Sequence, residues 1–92
     1  MTSELFSLTG RVAVVSGAAQ GLGRATALAL AQHGANVVLV DRNRLGAEAT
    51  AQQIQTLGRT TLVAETDVSD PNAIAELFRL VDDQFGRVDF LG

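Results

Sequence analysis

Short unbroken apolar runs alternate along this chain with longer segments in which apolar residues recur at helical spacing. The first run lies in residues 11–16, where Val12, Ala13, Val14 and Val15 follow one another without a polar residue. A strand with one wet face alternates apolar and polar side chains. An unbroken run instead predicts a strand covered on both faces, as in a parallel sheet. Residues 22–33 predict a helix, stopped by Gly34, which accepts the positive φ of a helix terminus. A second buried strand is predicted at residues 37–40 (Val37, Val38, Leu39, Val40), closing at Asp41. Ala47, Ala51, Ile54 and Leu57 then give a second helix one apolar face, ending at Gly58. Residues 60–66 are rich in β-branched side chains and predict a third strand ending at Asp67.

The third helix has the clearest signals. Asp70 can cap it, and Pro71 suits the first helical position. Ile74, Leu77, Phe78, Val81 and Phe85 form its apolar stripe before Gly86 stops it, and residues 88–91 begin a fourth strand. Alternating strands and helices imply an α/β fold, with a parallel sheet and right-handed crossovers. The expectation is a Rossmann-like sheet of strand order 3-2-1-4 in one domain over residues 1–92. Two helices would cover one face and the third the other. With a single helix on its second face, the sheet would leave part of the runs at 12–15 and 37–40 uncovered. The fourth strand would also be an open edge. Both features predict self-association, by sheet extension through residues 88–91 or by exchange of elements between two copies.

Between the first strand and the first helix stands Ser16-Gly17-Ala18-Ala19-Gln20-Gly21-Leu22-Gly23. A helix N-terminus offers unpaired N–H groups and about half a positive charge, so an anion is stabilised there. In a phosphate cradle Gly17 would permit the turn, Gly21 the approach of a pyrophosphate, and Gly23 close packing of helix on strand. Gln20 and Leu22, on either side of Gly21, complete the candidate loop contacts. A simple strand-to-helix turn with packing glycines accounts for the same spacing. Asp41 tips the balance, because a carboxylate at the end of the second strand can accept hydrogen bonds from ribose hydroxyls. Its charge would repel a 2′-phosphate and favour NAD over NADP. Arg42, beside it, argues the other way as a candidate contact, but reads more simply as solvated. Two roles fit Asp67: a bond to an adenine amino group, together with Val68, or the start of the turn before the next helix.

Composition excludes several classes. The net charge is -3, against the basic surface of a nucleic-acid binder. Without cysteine there is no disulfide scaffold or Cys metal site. The first residues, Met1 to Phe6, have neither a basic stretch nor an unbroken apolar run, and no apolar run approaches the length of a bilayer span, so a soluble cytoplasmic protein is expected.

These residues, in this order, resemble the short-chain dehydrogenases/reductases. The family's loop signature T-G-x-x-x-G-x-G is met with Ser16 in the leading position, a mild departure that keeps the hydroxyl. "VDRN" from Val40, "DVSD" from Asp67 and "FGRVDFL" from Phe85 are similar to its next landmarks. The resemblance covers essentially the whole chain. It implies NAD(H) as cofactor, with Asp41 accompanying NAD, and Asp67 and Val68 contacting adenine. It also implies, in the complete enzyme, hydride transfer between the nicotinamide and an alcohol or carbonyl substrate. The family continues after such a fourth strand with Asn-Asn-Ala-Gly, a catalytic serine and Tyr-x-x-x-Lys. Here Gly92 is the last residue, and the chain contains no tyrosine and no lysine. The expectation is a chain inactive alone. His33, at a helix end, reads as a surface residue; Glu48, Glu76, Asp82 and Asp83 read as solvated faces. Three readings follow: the NAD-binding portion of a dehydrogenase, an NAD-binding module without catalysis, or a self-assembling unit that holds no ligand.

Overall fold

The computed structural model describes residues 7–92; the reading of Met1 to Phe6 lies outside the described residues. The element order is β1 (Val12–Ser16), α1 (Gly21–Gln32), β2 (Asn36–Val40), α2 (Arg44–Gln55), β3 (Thr61–Ala64), α3 (Pro71–Phe85) and β4 (Phe90–Leu91). The strands form one parallel sheet of order β3-β2-β1-β4, the Rossmann-like α/β arrangement expected. β1 and β2 run in register from Val12 beside Asn36 to Ser16 beside Val40.

The two faces of the sheet hold separate cores. On one, Val15, Val37 and Leu39 pack with Ala27 and Ala31 of α1 and with Ala47, Ala51 and Ile54 of α2. On the other, Val12, Val14, Val38, Val40 and Ala64 pack with Leu77 and Val81 of α3, flanked by Leu62 and Phe85. Alanines on α1 and α2 let two helices lie close against one face. The longer side chains of α3 fill the opposite face alone. Burying a side chain of valine or leucine size contributes roughly 1.5–3 kcal/mol, so these two layers supply most of the favourable side of folding.

The expected bare sheet is therefore corrected: residues 12–15 and 37–40 are buried throughout. One helix suffices because the Leu77–Val81 stripe is centred over β1 and β2, with Leu62 and Phe85 closing its margins. The exposed apolar side chains sit instead on the rim, among them Leu22, Leu45 and Leu91.

Three boundaries also differ. β3 ends at Ala64, whose carbonyl accepts the last cross-strand bond, from Asp41 N–H (3.2 Å), so Asp67 lies beyond the strand in a turn. β4 is only Phe90–Leu91, because Asp89 turns its carboxylate to the Val12 N–H (2.8 Å) ahead of the regular pairing. α2 stops at Gln55, which leaves Leu57 outside the helix and off its apolar face; Thr50 stands on that buried face instead.

Asp89 joins the two ends of the described chain. It accepts from Arg87 Nη2 (2.8 Å) and lies 3.5 Å from Arg11 Nη1 as well as bonding Val12. The Arg87 guanidinium first, then the Val12 N–H, hold its carboxyl below the usual carboxylate range, with Arg11 adding to the effect. No helix among the described residues is long and apolar enough to cross a membrane.

Candidate dinucleotide site

The carboxyl ends of β1, β2 and β3 open on one edge of the sheet, and the candidate residues gather there. A cleft of about 680 Å³ is lined by Asp41, Arg42, Asn43, Glu65, Thr66 and Asp67. A second, of about 240 Å³, is lined by Ser16, Gly17, Val40, Asp41, Arg42, Thr66 and Val68. The two share Asp41, Arg42 and Thr66. The structure thus brings Gly17, Asp41, Arg42, Asp67 and Val68 around one hollow. Gln20, Gly21, Leu22 and Gly23 lie beside it at the start of α1 and line neither cleft. Leu22 points outward and is 84% exposed.

The glycines divide their work. Gly17 and Gly21 have φ of +66° and +59°, values that L side chains rarely adopt, and a Cβ on either would meet nothing within 4 Å. That open space above Gly21 is what the approach of a phosphate requires. Gly23 is the opposite case, since a Cβ there would overlap the carbonyl oxygen of Gly17. The close contact is with the loop's own backbone and not, as expected from sequence, with the strand.

α1 begins without a cap. Gln20 is extended at the N-cap position and its side chain makes no capping bond, and the first turn holds no acidic residue. Among the described residues, the N–H groups of residues 20–23 have no hydrogen-bond partner. By contrast, Asn43 caps α2 through Gly46 N–H (3.0 Å) and Asp70 caps α3 through Asn72 N–H (2.9 Å).

Asp41 is tied into the loop. Its Oδ2 accepts from the Ala19 N–H (3.0 Å) and its Oδ1 from the Asn43 N–H (2.8 Å). A carboxylate has about four lone-pair sites, so two remain for hydroxyls of a ligand. Asp67 takes up the turn role that the sequence left open: Oδ1 accepts from both the hydroxyl (2.6 Å) and the N–H (2.9 Å) of Ser69. Those bonds, the hydroxyl foremost, and the nearby Arg42 charge hold its carboxyl below the usual range. Ser16 also has a local task, donating through both N–H (2.7 Å) and Oγ (3.0 Å) to the Gly92 carbonyl.

The remaining charged side chains behave as surface groups. Arg79 bridges Glu76 and Asp83 along α3, and Arg44 pairs with Glu48 on α2. His33 ends α1, with Nδ1 2.8 Å from the Ala29 carbonyl. Sequence reading missed Thr66 and Glu65, which line the hollow, and the pair Arg24 and Thr50. A signal for each residue was present, though none for their pairing. Arg24 falls in line with Ala27 and Ala31, and Thr50 with Ala47 and Ile54, so both are polar groups on buried faces.

The family model described as short chain dehydrogenase matches residues 11–92. The chain belongs to this family. Mouse 15-hydroxyprostaglandin dehydrogenase [NAD(+)] is 45% identical over 86 residues, which are 91% of this chain and 32% of that protein. A short-chain type dehydrogenase/reductase from Mycobacterium marinum superposes with a TM-score of 0.91 at 28% identity, covering 99% of this chain and 37% of that one. A metagenomic short-chain oxidoreductase solved with NADP gives a TM-score of 0.87 at 38% identity, covering 91% of this chain and 38% of that one. The chain thus spans about a third of the length of the short-chain dehydrogenases that it matches.

Proposed function

We propose that residues 1–92 are the N-terminal part of a Rossmann-type domain that binds NAD(H) in a short-chain dehydrogenase/reductase. The observation that carries the proposal is the row of partnerless N–H groups at residues 20–23, next to a loop anchored to Asp41. Those amides would bond the pyrophosphate, Gly17 and Gly21 would leave it room, and Gln20 and Leu22 would border it. Asp41 would accept from the adenosine ribose, while Asp67 and Val68 would border the adenine, with Arg42 at the mouth. Three carboxylates, Asp41, Glu65 and Asp67, stand against one arginine around the hollow, which supports NAD over NADP because a 2′-phosphate would enter a negative field.

In the complete protein this part would hold the cofactor whose nicotinamide exchanges a hydride with an alcohol or carbonyl carbon. The tyrosine and lysine of the family's proton transfer are not among these 92 residues, so this chain alone is proposed to bind without turning over. A soluble, cytoplasmic setting belongs to the same proposal. The test is calorimetric titration of the chain with NADH and with NADPH in one buffer. NADH binding tighter than NADPH is expected; no heat with either nucleotide would sink the proposal.

The open edge at β4 supports self-association of this chain. Among the described residues, Phe90 and Leu91 pair with Ala13 and Val14 on one side only, and both side chains are exposed. An edge strand with apolar side chains offers its unpaired backbone groups to a second copy. Light scattering at micromolar concentration should report a dimer or larger; a monomer would refute it.

A further inference from the structure

We infer that Arg24 and Thr50 are positioning residues for the phosphate loop, fixing its peptide orientations from the α2 side; the inference rests on the reading that this loop binds a dinucleotide. Arg24 Nε donates to Thr50 Oγ1 (2.9 Å), and Arg24 Nη2 donates to the carbonyls of Ala19 (2.6 Å) and Gly46 (3.3 Å). Thr50 has one hydroxyl proton. The Ala18 carbonyl, at 2.8 Å, is its nearer acceptor, with Gly46 O at 3.2 Å. Two successive loop carbonyls, Ala18 and Ala19, are therefore held from behind by a single linked pair.

In a trans peptide the C=O and N–H of one plane point in opposite directions. Holding the Ala18 carbonyl sets the Ala19 N–H, which reaches Asp41 Oδ2. Holding the Ala19 carbonyl sets the Gln20 N–H, the first of the partnerless amides. A segment with two glycines in the left-handed region has many conformations open to it, and fixing it in one costs conformational entropy. These hydrogen bonds offset that cost before any ligand arrives. The arrangement needs α2 close by. Gly46 provides the approach, since a Cβ there would stand 2.8 Å from the Ala19 Cβ.

Arg24 has no local reason to be where it is. The first turn of a helix is the end at which the dipole disfavours a cation. Its position is explained by the three acceptors that it gathers, Thr50 Oγ1 and Gly46 O on α2 and Ala19 O in the loop.

Arg24→Met, Arg24→Lys, Thr50→Val and Thr50→Ser should be titrated with ADP and with adenosine, and amide hydrogen exchange followed in the free chain. ADP affinity should fall about tenfold in Arg24→Met and Thr50→Val, the loss expected for hydrogen bonds involving a charged group. Adenosine affinity should stay unchanged, Thr50→Ser should restore ADP binding, and Arg24→Lys should restore only part of it. The Ala19 and Gln20 amides should exchange faster in both disabling variants without nucleotide. Parallel loss of ADP and adenosine, or unaltered exchange at Ala19 and Gln20, would overturn the inference. A wild-type chain that binds neither probe would overturn the dinucleotide reading, and the exchange rates alone would then decide whether Arg24 and Thr50 hold the loop.

Discussion

Gly23→Ala should lower the melting temperature and abolish nucleotide binding together, whereas Gly21→Ala should abolish binding with a smaller loss of stability. The difference follows from what a methyl group meets. At Gly23 it overlaps the Gly17 carbonyl oxygen, a backbone atom that cannot rotate away, so the turn must open or α1 must shift from β1. Overpacking of that kind costs roughly 1–3 kcal/mol. For a domain of this size each kcal/mol lowers the melting temperature by about 4–8 °C. At Gly21 the methyl enters open space, and the cost is the left-handed backbone, on the order of 1–2 kcal/mol. That same open space is where the diphosphate would sit. Circular dichroism melts and NADH titrations of the two variants check both statements. If Gly23→Ala melts like the wild type, the close contact with Gly17 does not constrain the loop.

Asp41→Ala should weaken NADH by about ten- to a hundredfold, the range for lost hydrogen bonds to a charged group, and should erase the preference over NADPH. Two effects combine. The carboxylate is the proposed acceptor for ribose hydroxyls, and it also anchors the Ala19 and Asn43 N–H groups. Asp41→Asn separates them, because its single carbonyl oxygen can keep only one of the two anchors, without the charge. The asparagine variant should therefore lose the preference while keeping more of the overall affinity. Calorimetry on both variants with both nucleotides is the measurement. An NADH-to-NADPH ratio unchanged in Asp41→Ala would remove Asp41 from cofactor selection.

The elements were legible because their signals are local. The unbroken runs at 12–15 and 37–40 became the buried strands β1 and β2, and Asp70, Pro71 and Gly86 marked both ends of α3. The glycine spacing and Asp41 gave the place of the candidate site. What stayed hidden depends on side chains meeting across elements. Nothing near Arg24 in sequence announces Thr50, 26 residues away, and nothing near Asp41 announces the Ala19 amide, 22 residues away. Coverage of the second sheet face was misjudged for a related reason. Counting helices says how many cover a face, but the reach of Leu77, Val81 and Phe85 decides how much area they close.

The place of β4 beside β1 has a consequence for synthesis on the ribosome. β1 is the first of the described strands to be made, yet among the described residues its edge away from β2 is paired only by residues near position 90 and by the Asp89 carboxylate, 77 positions from Val12. At ordinary translation rates that interval is on the order of ten seconds. Throughout it the nascent chain can close β1 on β2 and β2 on β3, with α1 and α2 covering their shared face. The edge of β1, however, stays bare of its neighbour. The half of the molecule that forms the phosphate loop can thus mature early, while the central strand waits for its last partner.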